Sequence, residues 1–226
     1  MLRTIIFDFN GILVNDEPIH LELFQKVLHE KGLSLSTEDY YARYLGMDDG
    51  DCFKAAYRDN GIELDEPTLL ELIRQKSVYY REVILKGPVI FPGVKEIVPA
   101  LFKRYPLAIA SGALRSEIDM ILEDTGLIKY FQVIVSTEDI SKGKPEPEVF
   151  TKALSLLNQG TGKTPILPSE CLVIEDSKEG ILGSRRAGMK CLAVTNSHPA
   201  EELKEADTVI DGLDEITEDF FEKLLT

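Results

Sequence analysis

Hydrophobic positions follow two different periods along the 226-residue chain. Thr4–Phe9 is a short apolar, β-rich run, which is typical of a strand buried on both faces of a parallel sheet. From about Glu17 to Lys86 the apolar residues recur at helical spacing, with no strong strand pattern. This stretch predicts a small helical bundle, and its periodic residues are Leu21, Phe24, Leu28, Leu69, Leu72, Ile73, Tyr79, Tyr80 and Val83.

After Gly87-Pro88, strand and helix patterns alternate to the end of the chain. This alternation predicts an α/β fold with a doubly wound, Rossmann-like parallel sheet and right-handed crossovers. The predicted strands are Leu107–Ala110, Gln132–Val135, Cys171–Ile174, Lys190–Val194 and Thr208–Ile210, and the predicted helices are Val94–Lys103, Arg115–Thr125, Pro147–Leu157, Lys178–Ala187 and Pro199–Ala206.

The order of these elements predicts two domains. Residues 1–15 and 88–226 are expected to form the Rossmann-like core, and residues 16–87 an inserted all-α cap domain. Ligands of open α/β sheets bind beyond the carboxyl ends of the strands, and the insertion directly follows the first strand. We therefore expect it to act as a lid, with hinges near Asn15-Asp16 and Gly87-Pro88.

Charge and composition narrow the function classes. The chain has 25 basic and 39 acidic residues, a net charge of −14, which argues against nucleic-acid binding. The start of the chain lacks a signal-peptide pattern, and no apolar run approaches a membrane span. Three cysteines without metal-ligand spacing are typical of reduced thiols, so we expect a cytoplasmic protein. We also expect a monomer that binds no membrane.

Four polar motifs come where predicted strands end or the next helix begins. Each alone has a structural interpretation as a turn, a loop or a helix cap. Together they supply, at one edge of a parallel sheet, a carboxylate nucleophile, a hydroxyl donor, a cation and an acidic metal site. The motifs are Asp8-Phe9-Asn10-Gly11, Ser111-Gly112, Gly143-Lys144-Pro145 and Glu175-Asp176-Ser177.

This set of groups is suited to phosphoryl transfer. A carboxylate that attacks phosphorus forms an aspartyl-phosphate and divides one difficult displacement into two easier ones. Asp8 and Asp176 are candidate ligands for Mg²⁺, and Glu175 is a candidate for direct coordination or for support of a ligand. Lys144 would neutralise phosphate charge, while Ser111 and the backbone N–H groups after it would donate hydrogen bonds.

The same motifs carry a resemblance to a known family. Residues 7–20 resemble the opening FDFDGVLVDSEPLH of the haloacid dehalogenase superfamily, in its β-phosphoglucomutase-like phosphatase branch, and the other three motifs match the rest of the family pattern. The resemblance implies a Mg²⁺-dependent phosphomonoester hydrolase that acts on a small phosphorylated metabolite. By this resemblance Asp8 is the nucleophile and a metal ligand, the Asn10 carbonyl and Asp176 complete the metal site, and Ser111, Gly112 and Lys144 bind the phosphoryl group.

Residue 10 departs from the family pattern. Active phosphatases of this branch have Asp there as general acid and base, and Asn10 cannot fill either role. Losing such a group typically lowers the rate by about 10²–10⁴-fold. Three explanations stay open: an engineered variant made to trap a complex, a natural relative with weak or altered activity, or deamidation at Asn10-Gly11. The otherwise complete motif set favours the first.

The cap sequence bears on the substrate. A mutase of this branch binds two phosphates, and its cap usually offers an arginine for the distal one. The cap turn at the same place in this chain, Leu45–Asp51, is acidic. Lys76 is the candidate cation that could replace such an arginine, and the alternative is that it belongs to a solvated helix face. His20 is interpreted as a hinge or packing residue rather than a base. We count Lys76 and His20 among the candidate substrate contacts. A monophosphatase is therefore favoured over a β-phosphoglucomutase-type mutase, and a non-catalytic phosphometabolite-binding protein is the third interpretation.

Overall fold

The computed structural model describes residues 1–45, 47–84, 86–87, 90–161, 164–216 and 220. The chain divides into two compact units, one of Met1–Asn15 with Val89–Thr226 and one of Asp16–Pro88. Gly46 of the acidic turn and Pro88 of the predicted hinge lie outside the described residues. Within the described part of the chain, no helix is both long and apolar enough to cross a membrane.

The first unit is built on a six-stranded, wholly parallel sheet with the strand order β3-β2-β1-β4-β5-β6. The chain winds outward from β1 in both directions, which confirms the predicted doubly wound, Rossmann-like α/β fold. All four residues of β1 are buried, as expected for a central strand. The strands are β1 Thr4–Phe7, β2 Leu107–Ala110, β3 Val133–Val135, β4 Cys171–Glu175, β5 Lys190–Val194 and β6 Thr208–Ile210.

A short bridge closes the first unit where the chain leaves it and returns to it. Val14 pairs with Ile90 in an isolated antiparallel bridge, and the N–H of Phe91 donates to the carbonyl of Leu13 at 3.2 Å. The two ends of the inserted unit therefore start from neighbouring positions of the first unit.

The second unit is helical, as the periodicity predicts. Leu21, Phe24 and Leu28 of its first helix are buried, and Leu69 and Leu72 of its last helix join them in one apolar core. The helices are α1 Glu17–Glu30, α2 Thr37–Asp39, which continues into a π-helical turn at Tyr40–Tyr44, α3 Asp49–Asp59 and α4 Glu66–Ile84.

Helices also flank the sheet of the first unit. On one face, Phe150 and Ala153 pack with Ile6 and Val173 of the central strands, so burial of this apolar face holds the sheet and a helix together. The flanking helices are α5 Val94–Phe102, α6 Arg115–Asp124, α7 Glu148–Thr161 and α8 Lys178–Arg186.

One predicted helix is wrong. Pro199–Ala206 contains only a short 3₁₀ turn at Ala200–Glu202. The backbone of Asp207 donates to the carbonyl of Cys191 at 2.9 Å, and the Asp207 carboxylate accepts from the N–H of Cys191 at 2.8 Å. These bonds fix the chain beside β5 immediately after Ala206. A helical pattern of eight residues is too short to prevail against such tertiary contacts.

Candidate active site

The sheet order brings the predicted motifs to one edge. β1 lies between β2 and β4, and Phe7 is in register with Ile109 on one side and Ile174 on the other. Asp8 follows β1, Ser111 follows β2, and Glu175 ends β4. Since all three strands are parallel, these residues share the carboxyl edge, where ligands of open α/β sheets bind.

The loop after β1 is held by its own backbone. The carbonyl of Phe9 accepts the N–H of Leu13 at 2.8 Å, and the N–H of Gly11 donates to the carbonyl of Val14 at 2.9 Å. Gly11 has φ +77°, a conformation that residues with a Cβ rarely adopt. Asp8 and Asn10 are thereby presented by a tight turn with a fixed backbone.

Lys144, from the Gly143-Lys144-Pro145 motif, contacts one carboxylate of the Asp8 motif and one of the Glu175 motif. Its ammonium lies 2.7 Å from Oδ1 of Asp8 and also forms an ion pair with Glu175. Burial opposes the charge on Lys144, but the two carboxylates outweigh that effect and raise its pKa above the ordinary value. Lys144 is therefore a permanent cation at this site.

The turn after β4 depends on Glu175. Its Oε2 accepts hydrogen bonds from the N–H of Asp176 at 2.9 Å and from both the N–H and Oγ of Ser177, at 2.9 and 2.8 Å. Ser177 in turn caps α8 by accepting from the N–H of Gly180 at 3.0 Å. A Cβ at position 180 would lie 1.8 Å from Oε1 of Glu175, so this position requires glycine.

Three buried carboxylates meet at this edge. Among the described residues, Asp8, Glu175 and Asp176 form the group whose carboxylate oxygens lie within 4.8 Å of one another. Burial raises the pKa of Asp8 to about 6, against the attraction of Lys144. Burial, and then the charges of Glu175 and Asp8, hold the pKa of Asp176 well above its ordinary value. The site therefore has an excess of negative charge that a bound cation would relieve.

The donor chemistry of this group fits a hard divalent cation. Mg²⁺ prefers oxygen ligands, with one or two carboxylates and retained waters. Both oxygens of Glu175 already accept hydrogen bonds from protein groups, whereas Lys144 donates to Oδ1 of Asp8 and Ser197 donates to Oδ2 of Asp176. This pattern favours Asp8 and Asp176 as the ligands and Glu175 as their support.

The remaining predicted residues lie in two places. Ser111 is buried at the end of β2, and its Oγ accepts the N–H of Ala113 at 3.0 Å, while the space beside Gly112 is open. His20 and Lys76 belong to the helical unit. Lys76 is fully buried, so the interpretation of this residue as part of a solvated helix face is wrong.

His20 and Lys76 form a polar cluster inside the helical unit. The Lys76 ammonium lies 2.5 Å from Oδ1 of Asp49, 2.7 Å from Nδ1 of His20, and 4.3 Å from the ring centre of Phe24. His20 Nε2 lies 3.1 Å from Oδ2 of Asp16, and its ring stacks on Tyr80. The charge of Lys76 is thus matched by a carboxylate of its own unit.

The turn after β5 also belongs to the site, although no sequence motif singled it out. There, Ser197 Oγ donates to Oδ2 of Asp176, and Asn196 Nδ2 donates to the carbonyl of Gly11 at 2.6 Å. The sequence feature that could have predicted this contact is the pair of polar residues shortly after β5, because the carboxyl end of this parallel strand belongs to the same edge of the sheet.

Known proteins resemble this chain over nearly its whole length. The haloacid dehalogenase-like hydrolase family model matches residues 5–194. Validoxylamine A 7'-phosphate phosphatase of Streptomyces hygroscopicus subsp. limoneus is 29% identical over 96% of each chain, and the protein CbbY of Rhodobacter capsulatus is 31% identical over 87% of each. The crystal structure of β-phosphoglucomutase from Clostridium difficile shares the fold, with a TM-score of 0.86, 21% identity and coverage of 99% of this chain and 97% of that one. With its parallel sheet and its carboxylate-rich edge, the chain belongs to the haloacid dehalogenase-like hydrolase family.

Proposed function

We propose that this protein is a Mg²⁺-dependent phosphomonoester hydrolase that acts through an aspartyl-phosphate on a small phosphorylated metabolite, with low activity in its Asn10 form. The observation that carries the proposal is the buried cluster of Asp8, Glu175 and Asp176, in which Lys144 forms ion pairs with Asp8 and Glu175. Such a cluster supplies a nucleophile, a cation for the phosphate and oxygen ligands for a metal.

Asp8, Asp176 and the backbone carbonyl of Asn10 are the groups proposed to hold Mg²⁺. The bound ion supplies positive charge that offsets the repulsion between a carboxylate and a phosphate. Glu175 serves the site indirectly, because it fixes Lys144 and the turn that carries Asp176.

Asp8 performs the bond-making step. One carboxylate oxygen attacks phosphorus while the bond from phosphorus to the leaving oxygen breaks, and that oxygen takes up a proton. Water then attacks the aspartyl-phosphate, releasing inorganic phosphate and restoring the carboxylate. With its pKa raised to about 6, Asp8 is mainly ionised at neutral pH, as a nucleophile must be. Lys144, Ser111 and the N–H of Gly112 are proposed to hold the phosphoryl oxygens.

Asn10 weakens the proton transfers of both steps. An amide neither protonates the leaving oxygen nor takes a proton from water, so the Asn10 protein is expected to bind substrate and turn it over slowly. An engineered trapping variant, a natural low-activity relative and partial deamidation at Asn10-Gly11 each account for this residue.

The proposed substrate carries a single phosphate. Asp49 pairs with Lys76, so Lys76 is not an unpaired cation for a second phosphate. This pairing favours a phosphatase over a β-phosphoglucomutase-type mutase. His20 and Lys76 stay proposed substrate contacts, and the acidic turn Leu45–Asp51 favours a substrate with hydroxyl or cationic groups beyond its phosphate. The Streptomyces relative is named as a phosphatase of one phosphorylated metabolite, in agreement with that class.

A non-catalytic role as a phosphometabolite-binding protein is the second candidate. Asn10 favours it, because the metal and phosphate groups are retained while the acid–base residue is absent. The two candidates differ in one outcome, namely whether an aspartate at position 10 creates turnover.

The decisive experiment compares the Asn10 protein with the Asn10→Asp variant on a panel of sugar phosphates, nucleotides and small phosphomonoesters. We expect kcat to rise by about 10²–10⁴-fold with little change in ground-state affinity. Asp8→Asn in the Asn10→Asp background should abolish the gain. Intact-mass measurements on the wild-type sample exclude deamidated protein as the source of its activity.

Two outcomes contradict the proposal. If Asn10→Asp binds Mg²⁺ and phosphate but releases none from any substrate, the protein is a binding protein. If the unmodified Asn10 protein already matches Asn10→Asp in kcat, another group supplies the proton, and His20 and Glu17 are the first to test.

The helical unit is proposed to serve as a cap, because it is inserted in the chain directly after the Asp8 loop. Closure would exclude water from the phosphoryl group. Small-angle scattering with and without Mg²⁺ and a phosphate analogue tests this role, and identical dimensions would contradict it.

We also propose that the protein is a cytoplasmic monomer. Cys52, Cys171 and Cys191 are free and buried, and burial raises the pKa of the latter two to about 12, so these thiols suit a reducing compartment. Light scattering of the purified protein tests the monomer, and cell fractionation tests the location.

A further inference from the structure

The turn after β5 contacts both predicted metal-ligand segments. Asn196 Nδ2 donates to the carbonyl of Gly11 at 2.6 Å, across 185 positions of sequence, and Ser197 Oγ donates to Oδ2 of Asp176. Both residues are half-buried in the first compact unit. Two adjacent side chains of one turn therefore hold two separate strand-end loops.

These contacts act on a tightly packed pair of segments. A Cβ at position 11 would lie 1.8 Å from Oδ2 of Asp176, so this carboxylate packs directly against the Gly11 backbone. The N–H of Gly11 is bonded to Val14, and its carbonyl to Asn196. With both of its backbone groups bonded, Gly11 has little freedom to rotate. In a trans peptide the Asn10 carbonyl points opposite to the Gly11 N–H, so the bonds that fix Gly11 also orient that carbonyl.

We propose that Asn196 and Ser197 are positioning residues for the metal site. This inference rests on the proposed function, because it takes Asp8, the Asn10 carbonyl and Asp176 as the ligands. Ser197 fixes the orientation of the Asp176 carboxylate and engages one of its oxygens, which leaves the other for the ion. Asn196 fixes the peptide next to the Asn10 carbonyl. Partners of this kind, one step removed from a metal, orient its ligands and strengthen its binding.

The charge distribution gives Ser197 a particular role. Lys144 is bonded to Asp8 and Glu175, whereas the described hydrogen bond to the side chain of Asp176 comes from the neutral hydroxyl of Ser197. A hydroxyl orients the carboxylate without placing a positive charge beside it that would repel a bound cation. A lysine at this position would instead compete with the ion.

The test is a titration of the metal-free protein with Mg²⁺ by calorimetry, together with a thermal melt of each sample. The variants are Ser197→Ala, Ser197→Thr and Asn196→Ala. Thr195→Ala is the matched control, because Thr195 belongs to the same turn but donates to Asp211 at 3.2 Å. Asp176→Asn reports loss of a proposed ligand.

We expect Ser197→Ala and Asn196→Ala to weaken Mg²⁺ binding by about 10–100-fold. Ser197→Thr should restore most of the affinity, because it keeps the hydroxyl. Thr195→Ala should bind as the wild type does. A change in melting temperature alone, with unchanged affinity, would indicate a structural role and overturn the inference.

The failures are distinguishable. If the wild type binds Mg²⁺ and Asp176→Asn does not, while Ser197→Ala binds normally, the positioning role is wrong and the metal site stands. If the wild type does not bind Mg²⁺, both the metal site and the positioning role fall.

Discussion

The ammonium of Lys144 lies 2.7 Å from Oδ1 of Asp8, although 136 positions of sequence separate the two residues. Asp8, Glu175 and Asp176 place three buried carboxylates near this cation. Lys144 is therefore required for the edge of the sheet to hold its negative charges, in addition to any contact with a phosphate.

Replacing Lys144 by methionine should lower the free energy of unfolding by about 3–5 kcal/mol at neutral pH, because it leaves buried carboxylates without their partner. The loss should be smaller in mild acid, where protons neutralise Asp8. Urea unfolding of metal-free protein measures both values. Lys178→Met, which breaks an exposed pair with Glu202, is the control and should change stability by about 0–1 kcal/mol. Equal losses in the two variants would contradict the prediction.

Mg²⁺ binding should weaken as the pH falls. Protons compete with the ion for Asp8, whose pKa burial raises to about 6 in the metal-free protein. Below that pH affinity should fall by about tenfold per pH unit for each displaced proton. The pKa of the other proposed carboxylate ligand, Asp176, is also raised by burial, so the ion must displace a proton there as well. Calorimetry at several pH values checks this. Affinity that stays constant through pH 6 would exclude Asp8 as a ligand.

Gly11→Ala should abolish Mg²⁺ binding, because the new methyl group would collide with the carboxylate of Asp176. Gly126→Ala separates this collision from backbone strain. Gly126 also has a positive φ, +70°, but a methyl group there would meet no atom within 4 Å beyond its chain neighbours. It should lose about 1–2 kcal/mol of stability from strain and keep its metal affinity. Normal Mg²⁺ binding by Gly11→Ala would show that Asp176 can move without loss.

Lys76 and Asp49 should be strongly coupled in stability. A double-mutant cycle with Lys76→Met and Asp49→Asn should give a coupling energy of about 1–3 kcal/mol, because Lys76 is fully buried. The exposed pair of Arg74 and Glu71 is the control, and its cycle should give about 0.2–0.5 kcal/mol. A coupling of Lys76 and Asp49 no larger than the control would mean that other groups neutralise Lys76.

Short apolar strands with clear ends were predictable from sequence. Leu107–Ala110 begins and ends where its apolar run does, and Lys190–Val194 extends its apolar run by one residue, because a parallel sheet buries both faces of each strand. The burial of Lys76 was not predictable, because it depends on partners such as Asp49, which lies 27 positions away. Ser197 was missed for a similar reason: its importance comes from a contact with Asp176 that no local pattern encodes.

The bridge between Val14 and Ile90 has a consequence for how this chain tolerates change. The departing and returning segments are paired through residues of the first unit alone, by this bridge and by the bond from Phe91 to Leu13. We therefore expect that a segment of different length or shape can replace the intervening helices without altering the register of β1. The junction is thus a natural exchange point, at which selection can replace the inserted helices while the residues of the first unit stay unchanged.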